Sequence, residues 1–216
     1  MAIERTEAGH WVVVGDSLRT PWVKKNQRLD FDHLLPTICG YLRPGDTVID
    51  VGANIGDHTV PYRNAVTQSG RVIAFEPDPE CHACCVLNCG TFQDIHCAAA
   101  LDSKRSVGIH TIVNRGENFV DLKGEGIDGV AIDDLHLTSC KLIKIDVEGA
   151  ELLVLKGATG TINRFHPLIV CELVEPQLAR FSHSVAEVKQ LLRSFGYEGK
   201  ALVEGHDRDW IFEYRC

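Results

Sequence analysis

Three short stretches carry side chains whose types and spacing suit chemistry. In KLIKIDVEGAE (141–151) an apolar run ends in Asp146, Glu148 and Glu151, and in PLIVCELV (167–174) a second ends at Glu172. A carboxylate at the end of a buried strand can orient a hydroxyl and take its proton, or offer a hard oxygen donor to a divalent cation. The third stretch, DVGANIG (50–56), puts Gly52 and Gly56 in a turn, where glycine permits a tight bend and close backbone approach. Twenty residues past Gly56 stands Glu76 in AFEPD, and a carboxylate there can accept from both hydroxyls of a ribose. No phosphate-binding GxGxxG pattern passes through GANIG, and Asp50 would repel a diphosphate while suiting an ammonium or sulfonium. The combination favours a nucleoside ligand without pyrophosphate. His58 falls in the first turn of the next helix, near the same crevice, with packing on that helix as its other reading.

These residues need a scaffold, and the hydrophobic pattern supplies alternating elements. TVIDVG, RVIAFEP, DIHCAAAL, KLIKIDV and PLIVCELV read as strands, while GDHTVPYRNAV, PECHACCVLNCG, AELLVLKGATGTINRF and SVAEVKQLLRSFGY read as helices. Such alternation implies parallel pairing with both sheet faces covered, and an open sheet of this kind binds its ligand at the carboxyl ends of its strands. GKALVEG and DWIFEYR are separated only by HDR, too short for a crossover helix, so they must pair antiparallel. DFDHLLPTICGYL reads as a short helix capped by Asp30 or Asp32, with Pro36 near its start. At about 102–140 no helix is expected; SVGIHTIV, NFVDLKG and GVAIDDL form a strand-rich insertion. Residues 1–28 lack periodicity and are set apart as an extension, a lid or a dimer contact, before a single domain of 29–216.

Composition narrows the function classes. The 22 basic and 30 acidic residues give a formal charge of −8, which disfavours a nucleic-acid surface built on clustered Lys and Arg. No apolar run approaches a membrane span, and MAIERTEAGH lacks the order of a signal peptide, so a cytoplasmic location is expected. Nine cysteines invite a metal or disulfide reading. Cys81, Cys84, Cys85 and Cys89, however, recur at i, i+3, i+4 and i+8, the spacing of one buried helix face, and a free thiol packs as a small hydrophobe.

Taken together, RPGDTVIDVGANIGDHT, GRVIAFEPDPE with Asn88, GVAIDDL, KLIKIDVEGAELLVLKGA and HPLIVCEL make the chain resemble the FkbM family of S-adenosylmethionine-dependent methyltransferases over about residues 42–175. The resemblance implies a Rossmann-like class I methyltransferase fold, α/β, with a seven-stranded, mostly parallel sheet ending in an antiparallel hairpin. It implies S-adenosylmethionine as cofactor, with Asp50, Gly52, Asn54 and Gly56 around its methionine and ribose, Glu76 on the ribose hydroxyls and Asp78 near the adenine. Ala98, Ala99 and Ala100 would flank the adenine or merely pack, with adenine specificity resting on main-chain bonds or on Asp102. The expected reaction is O-methylation of a hydroxyl on a small molecule or carbohydrate, and a homo-oligomer is admissible.

At the reacting end, Asp146 is the first candidate to position or deprotonate the acceptor and Glu172 the second; Glu148 shares the task or caps the following helix, and Glu151 is a structural acid favoured by the helix dipole. Mg²⁺ held by Asp146, Glu148, Glu172 and a nearby His is a possible second cofactor, although no ligand spacing demands one. Lys144, between two isoleucines of a central strand, is expected to reach an acid at the crevice, or the surface through its stem. A non-catalytic nucleoside-binding module and an NAD-dependent oxidoreductase are the competing classes; the missing third glycine and the antiparallel finish count against the latter.

Overall fold

The computed structural model describes residues 2–30, 32–90, 94–203 and 206–215. The chain opens with a hairpin, β1 (Ile3–Arg5) and β2 (Trp11–Val13), then α1 (Arg19–Asn26) and a short α2 (Leu35–Cys39). The alternating part follows as β3 (Thr47–Val51), α3 (Thr59–Val66), β4 (Arg71–Phe75), α4 (Pro79–Cys89) and β5 (Asp94–His96). An inserted group comprises β6 (Ala98–Ala100), β7 (Arg105–His110), β8 (Phe119–Asp121) and β9 (Ile127–Val130). The alternation resumes with β10 (Leu142–Ile145), α5 (Glu151–Gly157), α6 (Thr159–Phe165), β11 (Leu168–Glu172), α7 (Glu175–Ala179) and α8 (Val185–Ser194), and closes on β12 (Tyr197–Val203) and β13 (His206–Tyr214).

Seven strands form one sheet in the order β12-β13-β11-β10-β3-β4-β5. All pairs from β11 to β5 are parallel, whereas β13 runs antiparallel to both β11 and β12. This is the Rossmann-like class I methyltransferase sheet with its final hairpin. Side chains alternate across it with period two. Ile49, Ile73 and Ile143 pack under Leu155, Ile162 and Leu192 of α5, α6 and α8, while Val48, Val72 and Leu142 pack on Ile38, Tyr62 and Val66 of α2 and α3. The same alternation places Asp50 on the α3 face beside its register partner Lys144.

Four local readings need correction. DIHCAAAL is not one strand: β5 stays in the main sheet, whereas β6 joins a second sheet, β6-β9-β7-β8, made by the insertion. The helix expected over AELLVLKGATGTINRF breaks at Ala158 into α5 and α6, where the Thr159 hydroxyl bonds the carbonyls of Leu155 and Lys156 (3.4 and 2.9 Å) and competes with the ladder. In GVAIDDL the strand ends at Val130, and Ile132–Leu135 is a 3₁₀ turn. Asp133 there receives the N–H groups of Gly160 and Thr161 at the start of α6, both at 2.7 Å. Of DFDHLLPTICGYL only Leu35–Cys39 is helical, with Pro36 in its first turn and Asp32 accepting from the Leu34 N–H (2.8 Å).

The first thirty residues hold to the body of the chain through α4. Val12, Val13, Val23 and Leu29 pack with Ile55, Cys81 and Cys84. The Asn88 side chain bonds both the N–H and the carbonyl of Trp11 (2.7 and 2.8 Å). Cys81, Cys84 and Cys85 are fully buried, and burial pushes the Cys84 thiol up to about 12. Among the described residues no helix is long and apolar enough to cross a membrane.

Candidate active site

Two adjoining cavities run along the carboxyl ends of the strands. The first is lined by Gly52, Asn54, Glu76, Ala98, Ala99 and Ala100 and reaches Asp146 and Glu148. The second shares Arg19, Gly116, Asp146 and Glu148 with it, then continues past Asp32, Asp57, Glu117, Glu172 and Asp209. Since Glu76 follows β4, Gly52 β3, Asp146 β10 and Glu172 ends β11, the order of strands in the sheet is the order of groups along the groove.

Why glycine begins the turn is a matter of contact. A Cβ on Gly52 would stand 1.8 Å from the carbonyl oxygen of Asp146, and φ is +81°. Asn54, also left-handed at φ +48°, gives its backbone N–H to Glu76 Oε2 (2.8 Å) while Asp78 gives its own to Oε1 (2.8 Å). Each Glu76 oxygen keeps a further acceptor position, and burial pushes this carboxyl up to about 7.

Some residues expected at the cofactor do not reach the cavity walls. Asp50 is fully buried on the α3 face, where Oδ2 accepts from the Thr59 hydroxyl (2.6 Å) and Oδ1 lies 3.6 Å from Lys144 Nζ. Gly56 turns the chain against Cys85 of α4. Asp78 is the N-cap of α4, accepting from Glu80 and Cys81, and also accepts from Arg115 Nη1 (3.0 Å) and Asn118 Nδ2 (2.7 Å). Asp102 pairs with Arg105 rather than lining the groove.

The reacting end is a set of unequal acids. Lys144 donates to the Gly52 carbonyl (2.9 Å) and stands 3.5 Å from Asp146 Oδ2, so the glycine turn and Asp146 share one cation. Against its burial, Lys144 and then Arg19 hold the Asp146 carboxyl below its usual range. Glu148 is buried in a left-handed conformation (φ +58°), hydrogen-bonded by the Gln177 amide. Burial, with Asp146 and Glu172 nearby, pushes it up to about 8. Glu172 is raised to about 7 by burial and Asp146 while Arg208 bonds it at 2.7 Å. Oxygens of Asp146, Glu148 and Glu172 come within 4.8 Å of one another, a donor set of the kind that can hold a divalent cation. Glu151 turns inward to accept the Gly149 N–H (2.9 Å) as a structural acid of α5. His58 lines the second cavity, but its Nε2 faces Asp32 (3.1 Å) and its Nδ1 the Tyr62 hydroxyl (3.1 Å), so both ring nitrogens are engaged within the protein.

Residues that the sequence left unmarked close the groove. Arg115, Gly116, Asn118 and Phe119 of the insertion lie along the first cavity. Arg115 reaches Asp78 and Glu80 (3.0 Å each), gives its N–H to Asp16 (2.9 Å) and takes the Asn54 amide on its carbonyl (3.2 Å). Arg19 lines both cavities. Neither arginine belongs to a periodic or spaced pattern that sequence reading could have used.

The profile of the methyltransferase FkbM domain matches residues 50–198, more than half of the chain. This chain belongs to the FkbM methyltransferase family. Among solved structures, an FkbM methyltransferase from Methylobacillus flagellatus KT superposes with a TM-score of 0.54 at 19% identity, over 79% of this chain and 44% of its own. The FkbM chain described here thus spans less than half the length of that relative. A precorrin-6y C5,15-methyltransferase from Geobacter metallireducens GS-15 gives 0.51 at 14% identity, covering 85% and 88%. A SAM-dependent O-methyltransferase from Thermotoga maritima gives 0.51 at 15%, covering 99% and 77%. At these identities the likeness is one of fold. No curated protein matches the chain.

Proposed function

We propose that this FkbM-family chain transfers a methyl group from S-adenosylmethionine to a hydroxyl of a small molecule or carbohydrate. The observation that carries the reading is the continuous groove from Glu76 past Gly52 to Asp146 and on to Glu172, in which a nucleoside half and an acid-rich acceptor half meet at shared residues. The walls suit the cofactor: Glu76 keeps acceptor positions for two hydroxyls, Ala98–Ala100 offer a small apolar surface, and the Gly52 turn leaves no side chain in the way. When bound, the cofactor supplies a methyl group already activated on a sulfonium.

What remains for the protein is alignment and proton removal. Asp146, kept ionised beside Lys144, is placed to orient the acceptor hydroxyl, and Glu148, whose raised pKa makes it the stronger base, is placed to take its proton. Glu172, paired with Arg208, lines the far side of the acceptor cavity.

Transfer of labelled methyl from S-adenosylmethionine to a hydroxyl-bearing acceptor pool tests the activity, and Asp146→Ala should lower turnover far more than cofactor affinity. A parallel loss of both would make Asp146 a cofactor residue. Chelator is expected to leave turnover unchanged; loss restored by Mg²⁺ would give Asp146, Glu148 and Glu172 to a metal instead. Glu76→Ala should weaken S-adenosylhomocysteine binding by about 10- to 100-fold, the worth of hydrogen bonds to a charged group. Titration calorimetry showing undiminished affinity would sink the ribose assignment.

A further inference from the structure

Arg19 lies outside the segment that carries the FkbM match, yet its side chain lines both cavities at the point where they join. Its place is fixed by the turn before α1. Asp16 Oδ2 accepts the Thr20 N–H (2.7 Å), the Thr20 hydroxyl donates to the Val13 carbonyl (2.8 Å), and Asp16 Oδ1 accepts the Arg115 N–H (2.9 Å). On one side the guanidinium stands 3.4 Å from Asp57. On the other it packs beside Gly116, where an added Cβ would lie in ordinary contact with Arg19 Cζ, at 3.5 Å.

Resting on the methyltransferase reading above, we infer that Arg19 binds the carboxylate at the amino-acid end of the cofactor. The order of groups along the groove sets the direction. With the ribose at Glu76, the chain beyond the sulfur runs past Gly52 toward Asp146, and Arg19 is the guanidinium at that end. A planar guanidinium fork matches a carboxylate bidentately. An anionic acceptor is the weaker match, because the wide cavity is rich in carboxylates and would repel a net negative charge. A zwitterionic amino-acid group brings its own ammonium and is tolerated there.

The test compares two nucleosides by titration calorimetry: S-adenosylhomocysteine, which carries the amino-acid end, and 5′-methylthioadenosine, which lacks it. In Arg19→Met, affinity for S-adenosylhomocysteine should fall by about 10- to 100-fold while affinity for 5′-methylthioadenosine is unchanged, which also reports an intact nucleoside site. Arg19→Lys, retaining the charge without the fork, should fall between. Affinity of Arg19→Met for S-adenosylhomocysteine within twofold of the unaltered chain would overturn the inference, as would equal loss of both nucleosides. A raised acceptor KM with cofactor binding intact would assign Arg19 to the acceptor and overturn it too. If the unaltered chain bound neither nucleoside, the methyltransferase reading itself would fall with it.

Discussion

Glu148→Gln should lower kcat by about two to four orders of magnitude, the range that a positioned general base contributes. It should also flatten the acidic limb of the kcat profile. The sign follows from the role: the base works ionised, so turnover rises with pH as Glu148 loses its proton, with the limb at about 8. Glu172, itself raised to about 7, is one of the like charges that hold Glu148 up. The three acids differ in their surroundings. Lys144 keeps Asp146 ionised and weakly basic, Arg208 holds Glu172, and Glu148, with Arg180 4.0 Å away, is still pushed upward by burial and like charges. Its aim is fixed from behind, where the Gln177 amide bonds its carboxylate and Arg180 its carbonyl (3.2 Å). Melting temperature near that of the unaltered chain would separate lost chemistry from lost structure. An unchanged kcat profile in Glu148→Gln would remove it from the reaction.

Gly52→Ala should cost about 4 kcal/mol or more, because the contact it creates cannot be relieved by a side chain turning away. The obstructing atom is the backbone oxygen of Asp146, 1.8 Å from the added Cβ, and a left-handed φ of +81° adds the usual penalty for an L residue. Both neighbours are pinned: the N–H groups of Gly52 and Ala53 bond the Phe75 carbonyl (3.0 Å each), and the Gly52 carbonyl takes Lys144 (2.9 Å). Relief therefore requires β3 and β10 to part at their carboxyl ends, where the groove begins. For a chain of this size the loss corresponds to a melting temperature lower by about 10 °C. A variant melting within about 2 °C of the unaltered chain would show that the turn is looser than this geometry.

The sheet was legible because its signals are local. Near-continuous apolar runs, helical stretches between them and a connection before the last strand too short for a crossover helix suffice to mark β3, β4, β10, β11 and the final hairpin, although HDR, read as the link, belongs to β13 itself. Gly52 and Glu76 were legible for a related reason: a turn at one strand end and an acid at the next have a fixed place relative to that sheet. Where two strands or helices had to be told apart by what they pack on, the pattern failed. Ala98–Ala100 leaves the sheet that Asp94–His96 belongs to, and Thr159 interrupts a helix whose apolar positions continue.

At the site, the amino-acid sequence determined which acids stand at the strand ends, since position along a strand is a one-dimensional property. Only the tertiary structure decided their environments. Asp50 turned out to face α3 and Lys144 instead of the groove, Asp78 to cap α4, and His58 to spend both nitrogens on Asp32 and Tyr62. Arg19 and Arg115 come from segments without periodicity and meet the groove through contacts such as Arg115 with Asp16, 99 positions apart. The physical reason is that burial and the field of neighbouring charges depend on groups distant in the chain, and no spacing within a strand or helix encodes them.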